Sequence, residues 1–337
     1  MLVSYILFTY NHVAFIDAAL QSALAQTYDP MEVVITDDGS TDGTAERIEA
    51  IIAQYRGPKT IRFRKNRFNA QGKGVVRGTV EDARGEIVVA ADGDDESLPH
   101  RTAVIVGAFE ADDQLQCISS NANVIDEAGT IQRLWHEGPV GERTLANFRV
   151  PSMGMLGATV AFRRAVFDVF GPLDHDVVMG DRVIPLRAAI VGRLGYIDEV
   201  LVNYRQHSQN MWLGFDSKAG GFERWRSQLA RRNELMIPVL VNRIRDLETG
   251  LAAFPARSAQ LDELLRSTQR FLQEALIERA LYDRANLTHR LFLVAKGMPL
   301  KGPGFRERFR WAVKFLFPHV HYRRTLRMKR LQTTRAT

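Results

Sequence analysis

Residues 86–96 read Glu-Ile-Val-Val-Ala-Ala-Asp-Gly-Asp-Asp-Glu. Ile87 to Ala91 have the pattern of a strand buried on both faces, and Asp92, Asp94 and Asp95 crowd at its end with only Gly93 between them. Adjacent carboxylates oppose each other's ionisation, and a hard divalent cation with oxygen ligands relieves that cost. The stretch therefore reads as a metal turn that faces phosphate. An acidic turn in which Asp95 or Ser97 caps a helix beginning at Pro99 is the alternative.

Working outward, Val3 to Phe8 reads as a first strand, followed by Thr9-Tyr10-Asn11 and a helix that gathers Phe15, Ala19 and Ala23 beside Ile16, Leu20 and Leu24. Val33 to Thr36 gives a second strand that ends in Asp37-Asp38-Gly39-Ser40, with Asp42 capping a helix through Ile48, Ile51 and Ile52. Ile61 and Phe63 mark a third strand, and Gly74 to Ala83 a third helix. Alternating strands and helices predict a parallel sheet with right-handed crossovers. Ligands of such sheets collect beyond the carboxyl ends of the strands, where Asn11, Asp38, Asp92 and Asp94 would converge. Gln71-Gly72-Lys73-Gly74 lacks the spacing of a P-loop, and no G-x-G-x-x-G follows the first strand. Phosphate would instead be held by metal on the aspartate turn, helped by Lys73 or Arg77, both of which also suit a solvated surface.

Five motifs in this order resemble glycosyltransferase family 2: Thr-Tyr-Asn at 9–11, Ser-x-x-x-Gln-Thr at 22–27, Asp-Asp-Gly-Ser-Thr-Asp at 37–42, Ala-x-Gly at 83–85 and Asp-Gly-Asp-Asp at 92–95. The resemblance covers roughly residues 1–212 and implies a GT-A fold, an α/β nucleotide-diphosphosugar-binding domain with a mixed central sheet. It also implies Mn2+ or Mg2+ bridging the donor diphosphate. It puts Thr9, Tyr10 and Asn11 beside the donor nucleoside, Asp38 on the base, Asp92 near the ribose or the metal with Gly93 in the donor-binding turn, and Asp94 on the metal. Where the family usually reads Ala-Arg-Asn before the aspartate-rich strand, this chain has Val75-Val76-Arg77. The family pattern places the general base at Asp181 of Met179-Gly180-Asp181; a plain helix cap is the other reading of that residue. A carboxylate of ordinary pKa, about 3.9, is a weak base toward an alcohol, so proton uptake would come late, as the new bond forms. Tyr204-Arg205-Gln206-His207 resembles the family's Tyr-Arg-x-His segment, with His207 on the metal or the diphosphate.

The organisation expected is a GT-A domain over residues 1–215, with a donor half of about 1–96 and an acceptor half of about 97–215, then a helical region over 216–337. The second half begins with a helix from about Leu98 to Glu110, a strand through Cys117 to Ser120 and a hairpin turning at Glu127-Ala128-Gly129. Gly154 to Phe162 is rich in small residues, which suits either close approach to a sugar or a tightly packed buried strand. Helices are expected over Phe222–Glu248 and Arg257–Asn286, separated at Pro255. The second carries Leu261, Leu264, Leu265, Phe271, Leu272 and Leu276 in a stripe that packs on the catalytic domain or on another copy of the chain.

The net charge of +6 is unevenly spread: residues 301–337 hold eleven Lys or Arg against Glu307, so residues 1–300 are at −4. Within 303–331, Phe305, Phe309, Ala312, Val313 and Leu316 share one arc of a helical wheel, with Trp311 and Phe315 at its margin and Arg306, Arg310 and Lys314 opposite. That is the pattern of a helix lying in a membrane interface, reinforced by Arg323, Arg324, Arg327, Lys329 and Arg330. Each basic residue near an anionic surface contributes about 1 kcal/mol. A core-docked helix with a solvated basic tail is the alternative. No run of eighteen apolar residues and no secretory leader pattern is present, and Cys117 stands alone, which excludes an internal disulfide and a cysteine-based zinc site. A cytoplasmic enzyme, peripheral on the inner face of the membrane, is expected.

The function expected is an inverting, metal-dependent transferase acting on a glycan or lipid-linked acceptor in surface polysaccharide assembly, such as O-antigen or capsule. Its partners would be a nucleotide-diphosphosugar donor, that acceptor and an anionic membrane surface, with no nucleic acid. Two rivals remain. A nucleotidyltransferase also places carboxylates at strand ends, but its glycine-rich basic loop is replaced here by Thr9-Tyr10-Asn11-His12. A non-catalytic protein gripping nucleic acid lacks the aromatic and basic interleaving it would need in residues 1–300.

Overall fold

The alternating pattern is realised in a computed structural model that describes residues 1–136, 144–149, 154–208, 210 and 221–282. In chain order the elements are β1 (Val3–Thr9), α1 (Ile16–Leu24), β2 (Met31–Asp37), α2 (Thr44–Gln54), β3 (Thr60–Lys65), α3 (Val75–Asp82), β4 (Ile87–Asp92) and β5 (Glu96–Ser97). They continue as α4 (Arg101–Ala111), β6 (Leu115–Ile125), β7 (Ile131–Trp135), β8 (Ala161–Arg163), α5 (Val166–Phe170), α6 (Gly180–Val191), β9 (Arg193–Arg205), α7 (Gly221–Ala253) and α8 (Ser258–Tyr282). The described strands form one mixed sheet of order β3-β2-β1-β4-β8-β6-β9-β5, with β7 paired to β6. The first four strands are parallel; β8 runs antiparallel to both β4 and β6, and β9 parallel to β6.

Register decides what meets at the carboxyl edge. Phe8 lies beside Thr36 on one side and Asp92 on the other, and Thr9 beside Asp37. The loop after β1, the Asp37-Asp38 turn and the aspartate turn therefore stand together. Because β6 and β9 run the same way, Ile125 and Arg205 pair at that edge too. Beneath it, Val33, Ile35, Val89 and Leu7 pack with the buried face of α1 and with Ile105 and Phe109 of α4 in one apolar core.

The segment from Gly154, open to either of two readings, forms a 3-10 turn at Gly157–Thr159 and then a strand of only three residues, Ala161–Arg163. One expectation is corrected. The helix expected from Leu98 starts at Arg101, after β5 and a turn, because Ser97 and Leu98 bond to β9 and α1 instead.

The chain divides into two units, Met1–Ser208 with Val241–Thr268, and Gln209–Leu240 with Gln269–Thr337. In the first, a buried bidentate pair joins Arg187 of α6 to Asp246 of α7 at 2.7 and 2.8 Å, and Leu261 and Leu264 of the leucine stripe are buried. In the second, Phe271 and Leu272 pack on Ile237, Leu240 and Ala275, and Asn233 bonds Glu278. Leu276 is exposed. The expected extension of this helix to Asn286 and the basic segment 301–335 lie outside the described residues.

Candidate active site at the carboxyl ends of the strands

β4 ends at Asp92, and the chain turns at once: the Gly93 amide donates to the Phe8 carbonyl at 2.7 Å and the Asp95 amide to the Asp92 carbonyl at 3.2 Å. Arg205, the last residue of β9, pins this turn. Its amide donates to Asp95 Oδ1 at 2.7 Å and its guanidinium to the carbonyls of Asp94, Asp126 and Glu127. Arg101 lies fully buried below, donating to the Ala90 carbonyl and to Ser97 Oγ, each at 2.8 Å. The electrostatics follow from this crowding. Burial, then the charges of Asp94 and Asp181, push Asp92 up to about 7 against the pull of Arg101. Burial and the same neighbouring aspartates, Asp94 and Asp92, raise Asp95 well above the carboxylate range. Burial would also raise Asp94, but its hydrogen bond to His207 and the nearby imidazoles hold it below its ordinary value.

Asp94 is the centre of a cluster with donors suited to a cation. His207 Nε2 lies 2.9 Å from Asp94 Oδ2 and His12 Nε2 3.9 Å from the same oxygen, and one donor atom from each of the three residues falls within 4.8 Å of the others. Burial lowers the pKa of the His12 imidazole, against the pull of Asp94. Two buried polar atoms on the inner side, Thr9 Oγ1 and His12 Nδ1, have no hydrogen-bond partner, and a Cβ on Gly93 would stand 2.6 and 2.9 Å from them. One carboxylate oxygen and two ring nitrogens at these separations fit a divalent ion of the first transition row.

Asp181, 87 residues beyond Asp94, is brought to the same edge by α6, and its charge acts on Asp92. The N-cap position of α6 is Met179, and no side chain caps it. Asp181 sits in the first turn, where the helix dipole favours a carboxylate. Four residues on, Pro185 has no amide to give to the Asp181 carbonyl, and the Met155 amide takes that place at 3.3 Å. The approach is close enough that a Cβ on Gly154 would meet the same carbonyl at 2.6 Å, and one on Gly157 would touch the Asp181 side chain at 3.6 Å. The small residues of 154–158 thus let this segment seat against Asp181.

The other expected site residues divide. Asn11, in the left-handed region at φ 53°, accepts the Thr41 amide and donates its own amide to Ser40, so it locks the first loop to the second; Tyr10 is exposed beside it. Asp38 is buried, and its carboxylate accepts from Asn66, Ala70 and Gly72, tying down the 66–72 loop. Arg77 pairs with Glu81 one turn further along α3, and Lys73 lies 3.7 Å from Asp176. Neither cation joins the Asp94 cluster.

His12, Arg101 and the depth of Arg205 have no signal in the sequence. A histidine one residue past Thr-Tyr-Asn has no spacing signature, and its role exists only because β1 lies beside β4. Two of the five motifs are scaffolding. Ser22 of α1 and Gln26 just beyond it bond Ser97, Leu98 and Thr102, holding the segment that follows the aspartate turn. The Arg84 and Gly85 amides donate to Glu32 and Ser4 at 2.7 Å each, and a Cβ on Gly85 would lie 2.4 Å from the Ser4 nitrogen.

Residues 4–171 match the family described as glycosyl transferase family 2. An uncharacterized glycosyltransferase of Nostoc sp. is 31% identical over 229 residues, 62% of this chain and 66% of that protein. The chain thus spans just under two thirds of that relative's length. Among solved structures, S. aureus TarS 1–349 in complex with UDP-GlcNAc superposes with a TM-score of 0.54 at 18% identity, covering 94% of this chain and 89% of that one. The mannosyltransferase PcManGT from Pyrobaculum calidifontis, in complex with GDP-Man and Mn2+, gives 0.52 at 20% identity, covering 94% and 87%. At these identities the two structures establish a shared GT-A fold.

Proposed function

The chain belongs to glycosyl transferase family 2, and we propose that it moves a sugar from a nucleotide-diphosphosugar to a hydroxyl of a glycan or lipid-linked acceptor, with inversion at the anomeric carbon. The observation that carries this reading is the meeting of Asp181 with the Asp92–Asp94 turn at one edge of the sheet, a base and a phosphate-facing centre supplied by distant parts of the chain. In this reading the loop at Thr9, Tyr10 and Asn11, with Asp38, Asp92 and Gly93, takes the donor, while Lys73 and Arg77, which face Asp176 and Glu81, would have to leave those partners to reach it. When bound to Asp94 and His207, a divalent cation supplies positive charge to a departing nucleoside diphosphate. Asp181 accepts the proton of the acceptor hydroxyl as its oxygen attacks. The UDP-GlcNAc and GDP-Man complexes of the structural relatives support a nucleotide-sugar donor.

Residues 1–215 serve as the catalytic part and 216–337 as a helical part in this reading. No helix among the described residues is long and apolar enough to cross a membrane. The sequence of 301–335 supports peripheral contact with an anionic surface that carries the acceptor. The test of the transferase reading is calorimetric titration of UDP, GDP, dTDP and CMP with and without Mn2+ into wild type and Asp94→Ala. Metal-dependent binding of one nucleotide, lost in the variant, is expected; no binding under any condition overturns the reading.

A further inference from the structure

The cluster at Asp94 contains one residue that no motif announces. His12 follows directly on the donor-side loop, and its Nε2 faces Asp94 Oδ2 at 3.9 Å while His207 Nε2 faces the same oxygen at 2.9 Å. The two imidazoles stand edge to face, centroids 6.1 Å apart at 90°, and Phe15 packs on His207 at 4.8 Å. The His12 amide donates to Thr44 Oγ1 at 2.9 Å, which fixes the loop after β1 at the residue that carries the imidazole. In a cation site of octahedral habit, adjacent donors at bond lengths of about 2.1–2.2 Å sit about 3 Å apart, so His12 Nε2 has about 1 Å to close toward Asp94 Oδ2, and all three donors already lie within 4.8 Å of one another. Thr9 Oγ1 and His12 Nδ1, both buried and without a hydrogen-bond partner, each lie within 3 Å of where a Cβ on Gly93 would stand.

We propose that His12 is a protein ligand of the metal, so that the centre is a two-histidine, one-carboxylate site that binds a first-row transition ion before the donor arrives and discriminates against Mg2+. Mg2+ dehydrates reluctantly and is usually held by carboxylates and substrate phosphates, whereas imidazole nitrogen favours Mn2+ and, more strongly, Co2+ or Zn2+. Three protein donors on one face leave the opposite positions for water or diphosphate oxygens; the inference rests on the transferase reading for that last ligand alone. Where the diphosphate supplies oxygens to the same ion, metal and nucleotide strengthen each other's binding by equal factors.

The experiment is a titration of Mn2+ into the full chain without nucleotide, followed by electron paramagnetic resonance, with Mg2+ as competitor. Wild type should bind Mn2+ alone, prefer it to Mg2+ by at least about tenfold, and show spin-echo modulation from two imidazole nitrogens rather than one. His12→Ala and His12→Gln should weaken Mn2+ at least about tenfold and leave one nitrogen. A single imidazole in wild type, a requirement for nucleotide before any Mn2+ binds, or variants that bind Mn2+ like wild type each overturn the assignment. The wild-type spectrum decides the matter even where a variant fails to fold. Parallel titration with UDP and GDP separates the two readings. Nucleotide binding with Mn2+ but no metal binding alone sinks His12 and spares the transferase; metal held through His12 with no nucleotide bound does the reverse.

Discussion

At the residue scale the site depends on where charge is confined. Asp92, Asp94, Asp95 and Asp181 share one edge, and Arg101 and Arg205 are the cations that make the crowding tolerable, one from below and one through the backbone of the turn. Asp181 is the residue whose removal should separate binding from chemistry. Asp181→Asn keeps the size and the helix position, so donor nucleotide should bind as in wild type while turnover falls about 10²–10⁴-fold, the usual share of a general base. Loss of nucleotide affinity with unchanged turnover would assign Asp181 to the donor instead. The carboxylates at the strand ends were readable in the sequence because an apolar run long enough to be a buried strand, stopping abruptly at acids, places those acids at the edge of a sheet. His12 was not, since one histidine in a loop says nothing until the neighbouring strand is known.

At the element scale, glycine and proline make the contacts that bring the segments together. β1 passes so near the loop before β4 that Gly85 has no room for a side chain. Gly85→Ala should lower stability by about 1–3 kcal/mol, seen as a shift of the urea midpoint, by forcing apart β1 and that loop. α6 is held from behind by the fully buried Arg187–Asp246 pair, with Arg187 also donating to the Gly171 carbonyl and lying over Phe167 and Phe170. Arg187→Ala strands a buried carboxylate and should cost about 3–5 kcal/mol. The double variant Arg187→Met with Asp246→Leu should recover much of that loss, and an additive outcome in thermal melts would show that the pair is not coupled. The buried face of the leucine stripe in α8 was legible from its period at Leu261 and Leu264 but not at Leu276, which is exposed. The partners of that stripe were not, because periodicity shows that a face is buried and not what buries it.

At the scale of the whole molecule, the sequence joins a mildly acidic body to a basic end, and the proposed contact with an anionic surface falls to that end. Replacing Arg323, Arg324, Arg327, Lys329 and Arg330 together by Gln should release the protein from vesicles containing anionic lipid, and wild type should also come off as salt rises. Sedimentation with vesicles measures both, and equal retention of the two proteins argues for a solvated tail. By itself the sequence determined the α/β class, the strand ends that carry acids and the family, because buried strands, helix periods and short motifs are local patterns. Only the tertiary structure decided that the sheet runs β1 beside β4, that β9 returns parallel to β6 with Arg205 on the aspartate turn, and that His12, Asp94 and His207 share one small volume. Such convergence comes from strand order and register, which depend on pairings between residues far apart in the chain and leave no trace in any single stretch of it.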